Sequence, residues 1–301
     1  HQEARRQRQM CIRDSMNNII VYLIIFLTRL ISIIPRNFFI NNFFIKKIFE
    51  IGLKKRRKII SANINHCFSD KDSKWRDKLV KDTCDESIGA IFDNNLAWNA
   101  TTKKIKSLDY KIRGIELLDE AKKNNRGVLL LFRHNLYIEL SARILSLHHE
   151  LHAMERPNNS KIIQRVQEKG RLKSVENLIP NSDINNLIEL LRNGKIILYG
   201  PDQDYRNKRS IVPTFFGQKC LTTTVPFSIT KITNCNLFYF DFFRNEGCYE
   251  LIISDISSTL DSKEFFAKKL NEKIEESILK KPQQYLWHHR RFKSQKPEIY
   301  D

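Results

Sequence analysis

The 301-residue chain lacks the short motifs that mark several common enzyme classes. It has no G-x-G-x-x-G fingerprint and no Walker-type phosphate loop, which argues against a nucleotide cofactor. It has no G-x-S-x-G turn either, which argues against a serine hydrolase. The six cysteines contain no C-x2-C pair and fit a reducing compartment better than a disulfide-bonded secreted protein. We predict neither a cofactor nor a metal ion for this chain.

Acidic residues are few relative to basic ones. The chain has 34 Asp and Glu against 52 Lys and Arg, which gives a formal net charge of +18. Such an excess implies an anionic partner, and charge alone does not choose among nucleic acid, an anionic membrane, an acidic protein and a phosphorylated substrate. The hydrophobic content of 41% is typical of a globular protein, and the length is sufficient for one large or two small domains.

The first 45 residues differ from the rest of the chain. Residues 1–15 are polar and aperiodic and precede Met16, so we interpret them as a non-native leader. Residues 19–34 are hydrophobic apart from a few positions such as Arg29, and this stretch is short of the ~20 residues that span a bilayer. No cleavage site follows. We therefore predict that residues 16–45 form an uncleaved membrane-anchor helix and an interfacial segment; a core helix of a soluble protein is the alternative.

Basic residues follow the predicted anchor. By the positive-inside rule, the run KKRRK at 54–58 leaves the rest of the protein on the cytoplasmic side of the membrane. The same run is suited to anionic lipid headgroups, or it is simply a solvated helix face. Whether the anchor spans the membrane or lies on its surface stays open.

Hydrophobic periodicity predicts alternating strands and helices from residue 74 onward. Five segments have strand patterns: 127–132, 151–154 and 195–199, and the pair 237–243 with 249–254. Helical patterns lie between and around them, at 74–98, 136–146, 160–168, 184–192 and 263–280. This alternation predicts an α/β fold, a sheet with helices on both faces. Without a repeat, a linker or a strong boundary, we assign residues 46–301 to one catalytic domain.

A histidine and a glutamate follow the most hydrophobic predicted strand. In residues 126–139, RGVLLLFRHNLYIE, five positions separate His134 from Glu139. The two side chains diverge if both belong to one regular helix. They meet if His134 lies on the turn before the helix, which would give a general base with an orienting acid. The alternative is that His134 is a structural histidine with its hydrogen bonds satisfied inside the protein and that Glu139 is a helix residue without a catalytic role. So short a motif often matches by accident.

Three further motifs occur downstream in a fixed order. They are YGPDQDY at 199–205, VPTFFGQ at 212–218 followed by TTT at 222–224, and PQQYLWHHRRFK at 282–293. Together with His134 and Glu139, these motifs resemble the late acyltransferases of lipid A biosynthesis, the lauroyl/myristoyl transferase family. The resemblance covers roughly residues 110–297. The chain departs from the family pattern at Arg133, where a glycine is usual, at Asn135, where an aromatic residue is frequent, and at Arg206, where a glycine usually closes the motif.

The resemblance implies a glycerolipid-acyltransferase-like mixed sheet and a transferase of the inner membrane of Gram-negative bacteria. It implies acyl transfer from acyl carrier protein to a hydroxyl of a 3-hydroxyacyl chain on a lipid A precursor, of the Kdo2-lipid IVA type. His134 would be the base, Glu139 its orienting acid, and Arg156 a third catalytic residue that holds a phosphate or an oxyanion. For Arg156, a surface ion pair with Glu155 is the alternative.

The remaining motif residues are candidates for substrate binding. Asp202 and Asp204 would arrange the acceptor site, although the tetrapeptide alone indicates only a turn. Thr222 lies where a helix N-cap or a phosphate contact is expected. An aromatic and basic cluster suits a phosphosugar headgroup or structural cation-π packing, and its basic members are Arg290, Arg291 and Lys293. Two alternative functions stay open: acyl transfer to another phosphoglycolipid, and a non-catalytic basic protein that binds membrane or nucleic acid. We predict no nucleic-acid partner.

Overall fold

The computed structural model describes residues 2–34, 36–206 and 208–301, with side chains from residue 18 onward except at 39. The side chains of the predicted leader, residues 1–15, lie outside this set. The helices, in chain order, are α1 (Gln2–Ile33), α2 (Arg36–Asn41), α3 (Phe43–Cys67), α4 (Ser73–Asn99), α5 (Thr102–Lys106), α6 (Glu116–Lys123), α7 (Ile138–Leu145), α8 (Lys161–Arg171), α9 (Ile184–Arg192), α10 (Val225–Thr233) and α11 (Lys263–Lys280).

Eleven strands are present in the described part of the chain. They are β1 (Tyr110–Arg113), β2 (Val128–Phe132), β3 (Leu151–Glu155), β4 (Asn177–Pro180), β5 (Ile196–Tyr199), β6 (Ser210–Ile211), β7 (Thr214–Phe215), β8 (Gln218–Lys219), β9 (Thr222–Thr223), β10 (Asn236–Asn245) and β11 (Cys248–Asp255). Short 3-10 turns occur at Ser257–Thr259, Pro282–Gln284 and Pro297–Tyr300.

Seven of these strands form one sheet in the order β1-β11-β10-β2-β5-β3-β4. The β10–β11 pair is antiparallel and the other pairs are parallel. The remaining four strands form two small sheets, β6 with β9 and β7 with β8, in the excursion between β5 and α10. The predicted α/β fold is confirmed as a mixed, mainly parallel sheet flanked by helices.

The central strand β2 supplies both faces of the sheet with apolar side chains. Leu129 and Leu131 pack into a core with α3, α9 and α11, whereas Val128 and Leu130 pack into a second core with α6 and α7. Successive side chains of a strand point to opposite faces, so a run that is apolar at every position requires helices on both sides. This explains why the predicted strand contains no alternation of polar and apolar residues.

Helix α1 lies against α4 and α8 through polar as well as apolar contacts. The side-chain amide of Asn95 donates to the carbonyl of Thr28 at 2.8 Å. The outer face of α1 carries exposed large hydrophobic side chains at Ile19, Tyr22, Leu23, Phe26, Leu30 and Ile33. Within the described residues, none of the helices combines the length and the hydropathy needed to cross a membrane. The membrane anchor over residues 16–45 stays a prediction.

Candidate active site

The candidate site lies where β2 and β5 end. These strands are parallel neighbours, with Leu131 opposite Tyr199. His134 follows β2 by two residues, and Asp202 follows β5 by three. Because the carboxyl ends of parallel strands meet at one edge of the sheet, the histidine motif and the Pro-Asp-Gln-Asp motif come together there.

Asp202 holds His134 at two points. One carboxylate oxygen accepts the backbone N–H of His134 at 2.9 Å, and the other lies 2.5 Å from the imidazole Nδ1. Asp202 is fully buried, while the imidazole keeps part of its surface exposed. In the described part of the chain, no hydrogen bond engages Nε2 of the ring. Asp202 therefore fixes the ring through Nδ1, and Nε2 is left without a partner in that part of the chain, on the partly exposed side of the ring.

The charge state of Asp202 follows from its surroundings. Burial favours the neutral acid and raises its pKa, but the neighbouring imidazole, its two hydrogen bonds and the Arg291 guanidinium together bring the pKa down to about 2. The carboxylate is consequently ionised at neutral pH, and it accepts a hydrogen bond from the N–H at Nδ1 of His134. That tautomer leaves the lone pair on Nε2 free to take a proton from a substrate.

The predicted contact between His134 and Glu139 is wrong. The Glu139 carboxylate instead accepts two bonds from Arg171, at 2.9 and 2.7 Å, and a third from Trp98 Nε1 at 2.9 Å. The chain turns after His134, and α7 begins only at Ile138, so the first helical turn directs Glu139 toward α4 and α8. The orienting acid of the imidazole is Asp202.

Arg171 is a residue that the motifs do not reveal. It bridges Glu139 and Glu155, donating to the latter at 2.8 Å, and Gln164 also donates to Glu155 at 2.6 Å. The bridge ties the start of α7 and the end of α8 to the end of β3. No spacing rule marks Arg171, because its partner Glu139 lies 32 residues earlier. Basic residues are common in the last turn of a helix, so the position of Arg171 in the sequence does not indicate a functional role.

Arg156 lies directly after β3, at the same edge of the sheet as His134. Its side chain is exposed and forms no ion pair or hydrogen bond with any described residue. The alternative of an ion pair with Glu155 is not seen, because that carboxylate is engaged by Arg171 and Gln164. Burial and the charge of Asp202 raise the pKa of Tyr205 to about 12, and the positive charges of Arg291 and Arg156 oppose that rise.

Asp204 and Arg291 stabilise the turn that follows β5 through contacts inside the protein. One Asp204 oxygen accepts the backbone N–H and the hydroxyl of Ser294, at 2.9 and 2.7 Å. The buried Arg291 guanidinium donates to the carbonyls of Gln203 and Leu221, at 3.1 and 2.5 Å. Thr222 is buried as well. Asp204, Thr222 and Arg291 therefore make their observed contacts inside the protein, and their part in binding substrate stays a prediction.

Two of the predicted basic residues do reach the surface. Arg290 is exposed and lies over the Tyr300 ring at 5.6 Å, and Lys293 is exposed close to it in sequence. The prediction that one residue of the Thr-Thr-Thr segment is a helix N-cap is confirmed in position, because Thr224 is the N-cap residue of α10. Its hydroxyl donates to the Arg209 carbonyl and makes no capping hydrogen bond.

The C-terminal motif pairs directly with the histidine segment. Leu286 N–H donates to the carbonyl of His134 at 3.1 Å, and Leu136 N–H donates to the carbonyl of Gln284 at 2.9 Å. This pairing brings His289 close to His134. Burial, followed by the electrostatic effect of the neighbouring His134 ring, lowers the pKa of His289 to about 4, so the His289 ring is neutral at pH 7.

The three departures from the family pattern lie away from the imidazole. Arg133 points to the opposite side of the chain, where it forms a buried ion pair with Asp241 at 3.2 Å and donates to Ser277. Asn135 is buried and bonds to the Phe242 carbonyl at 2.6 Å. Arg206 donates to the Ser294 hydroxyl at 2.7 Å. All three side chains therefore act as structural links.

Gly200 packs against the imidazole of His134, and there is no room for a side chain at this position. A Cβ at this position would lie 2.5 Å from Cε1 of His134 and 3.0 Å from the Phe132 ring. We expect Gly200→Ala to displace the imidazole and lower turnover by about 100-fold, the typical effect of a misplacement near 1 Å. Purified variants would be compared for turnover and for thermal unfolding. Gly52→Ala is the matched control, because nothing lies within 4 Å of a Cβ there. Full activity of Gly200→Ala would contradict the placement of His134.

The chain is similar to known bacterial proteins over most of its length. A family model described as bacterial lipid A biosynthesis acyltransferase matches residues 10–294. The chain is 31% identical to the lipid A biosynthesis lauroyltransferase of Escherichia coli (strain K12), over 82% of the chain and 81% of that protein. It is 30% identical to a lipid A biosynthesis acyltransferase of Haemophilus influenzae, over 82% of each protein. The lipid A biosynthesis palmitoleoyltransferase of Escherichia coli (strain K12) is 28% identical over 80% of each.

Proposed function

Because the chain belongs to the bacterial lipid A biosynthesis acyltransferase family, we propose that it transfers a fatty acyl chain from acyl carrier protein to a lipid A precursor of the Kdo2-lipid IVA type. The acceptor group is the hydroxyl of a 3-hydroxyacyl chain. The observation that carries the mechanism is the His134–Asp202 pair, which leaves Nε2 open at the carboxyl edge of the sheet.

In the proposed reaction, Nε2 of His134 removes the proton of the acceptor hydroxyl as its oxygen attacks the thioester carbonyl. Asp202 stabilises the imidazolium that forms. The carbon–sulfur bond then breaks, and the proton passes from the imidazolium to the thiolate of the carrier. General-base catalysis of this kind contributes about 10² to 10⁴ in rate, and positioning and charge stabilisation supply the remainder.

The free arginine at the sheet edge suits the negative charge of this reaction. Arg156 is exposed, lacks an anionic partner among the described residues, and follows β3 next to the histidine edge. A guanidinium in that position can stabilise the thioester oxyanion or hold an acceptor phosphate. Arg290 and Lys293 supply further positive charge at the surface. Their proposed role is to attract the anionic headgroup and the acidic carrier protein.

Glu139 enters the proposal as a positioning residue. Through Arg171 it holds the end of β3, and β3 leads directly into Arg156. Its effect on turnover would therefore pass through the placement of Arg156 and not through the imidazole.

Membrane attachment is also part of the proposal. The exposed hydrophobic side chains of α1 would face lipid, and residues 16–45 would form a single N-terminal anchor at the bacterial inner membrane. The basic residues that follow favour a catalytic domain on the cytoplasmic side. The acyl carrier protein and the acceptor lipid would meet at this surface.

A two-part experiment tests the function. Purified protein would be given an acyl carrier protein thioester and radiolabelled lipid A precursor, and lipid A would be analysed by mass spectrometry from a strain without its own late acyltransferase. We expect one added acyl chain in both cases, and strong loss with Arg156→Ala, with Arg156→Lys restoring only part. Transfer to a different phosphoglycolipid, or none to any acceptor, would refute the proposed substrate.

A further inference from the structure

A groove of about 190 Å³ lies between α1, α4 and α8, on residues that the proposed reaction does not use. Its apolar lining includes Ile25, Phe26 and Val166, and its basic lining includes Arg29, Lys169 and Lys173. The groove therefore offers both apolar and cationic contacts, and α1, which forms one of its walls, also carries the exposed hydrophobic side chains described above.

Packed helices fix the walls of this groove. Helix α1 is tied to α4 by the hydrogen bond from Asn95 to the Thr28 carbonyl, and to α8 by a bond of 2.5 Å from Arg165 to the Asn18 side chain. The Trp98 ring lies directly on Gly170, so closely that any side chain there would overlap it. The groove is thus a formed feature of the fold.

The basic part of the groove has no counterion among the described residues. No carboxylate lies within ion-pairing distance of Arg29, Lys169 or Lys173, and the same holds for the neighbouring Arg143, which donates to the Lys173 carbonyl. The Lys169 ammonium lies 3.9 Å from the centre of the Tyr22 ring. Burial, followed by the charges of Arg29 and Arg143, lowers the pKa of Lys173. Grouped like charges repel one another, and a bound anion relieves that repulsion.

We propose that the groove binds an anionic phosphoglycerolipid of the membrane. The phosphate would contact Arg29, Lys169 and Lys173, and the first part of one acyl chain would follow Ile25, Phe26 and Val166. The volume supports partial enclosure, because sites that enclose a whole drug-sized ligand measure about 300–1,000 Å³. The remaining chain would stay in the bilayer, next to the exposed apolar face of α1.

Vesicle binding by the full chain tests this inference without any acyl transfer. Protein would be sedimented with phosphatidylcholine vesicles and with vesicles that also contain phosphatidylglycerol. For the mixed vesicles, we expect Lys169→Gln with Lys173→Gln to lower the partition coefficient about 25-fold, since each basic residue at an anionic surface contributes about fivefold. The matched control is Lys122→Gln with Lys123→Gln, an exposed pair on α6. We expect little change for the control.

A second variant separates a lipid site from simple charge attraction. Val166→Trp would fill the apolar part of the groove and leave every basic residue in place. We expect this variant to lose the phosphatidylglycerol that stays bound to the purified protein in native mass spectrometry. Three results would overturn the inference: equal losses for the two lysine pairs, unchanged binding without Lys169 and Lys173, or full lipid retention by Val166→Trp. All of these are independent of whether the acceptor of the reaction has been identified correctly.

Discussion

Replacing His134 by alanine is expected to lower acyl transfer by about a thousandfold, within the range that a general base contributes. Asp202→Asn is expected to lose nearly as much. The amide cannot supply the negative charge that stabilises an imidazolium, and its NH₂ group would meet one of the two N–H donors of His134. Because the two residues act as one unit, the double variant should be little worse than His134→Ala. Initial rates with thioester and lipid precursor provide the measurement.

Asp204→Asn provides the matched control for this prediction. It makes the same chemical change two residues away, at a carboxylate that bonds to Ser294 and not to the imidazole. We expect a loss of less than about tenfold, since only the turn is affected. Multiplying losses for His134→Ala and Asp202→Asn in folded protein would show that the two side chains act independently, contrary to the proposed mechanism.

Arg171→Met is expected to lower the stability of the fold by about 3 kcal/mol, at the lower end of the range for buried ion pairs because this bridge is only partly buried. The substitution leaves the Glu139 and Glu155 carboxylates facing each other without their shared cation. For a chain of this size, the midpoint of thermal unfolding should fall by roughly 5–10 °C. Turnover should fall with it, because the end of β3 and Arg156 lose their support.

Arg165→Met is the matched control on the same helix. Arg165 is only half-buried and bonds to the neutral Asn18 side chain, so its removal should cost less than about 1 kcal/mol. Adding Glu139→Gln to Arg171→Met should recover part of the stability, because one of the two unpaired carboxylates is then neutral. If the Arg171→Met variant unfolds at the wild-type temperature, the bridge from Arg171 to Glu139 and Glu155 does not contribute to the stability of the fold.

Periodicity was sufficient to predict most elements of the sheet and its helices. The strand predicted at 127–132 is β2, and the helix predicted at 263–280 coincides with α11. The strands that were not predicted are β1, β4 and the two-residue strands β6 to β9. Strand β4, for example, has only four residues, two of them exposed, so it has neither a buried run nor a clear alternation. Short edge strands of this kind depend on pairing with a neighbour, and that pairing is a tertiary property.

The site could be predicted as a set of residues but not as a set of contacts. His134 and Asp202 both belong to recognisable motifs, yet their hydrogen bonds join positions 68 residues apart and depend on the pairing of β2 with β5. The close spacing of His134 and Glu139 pointed to the wrong partner, because proximity in sequence does not fix direction across an irregular turn. Arg171 belongs to none of the motifs, so the sequence did not identify it.

The pairing of the C-terminal motif with the histidine segment also has a consequence for synthesis of the protein. His134 receives its backbone partner from Leu286, and Arg133 receives the Ser277 hydroxyl from a position 144 residues later. At about 5–20 residues per second, a ribosome needs roughly 7–30 s to cover such a distance. A growing chain therefore carries an unfinished site during that interval, and the His134 segment gains its backbone partner only after Leu286 has been synthesised.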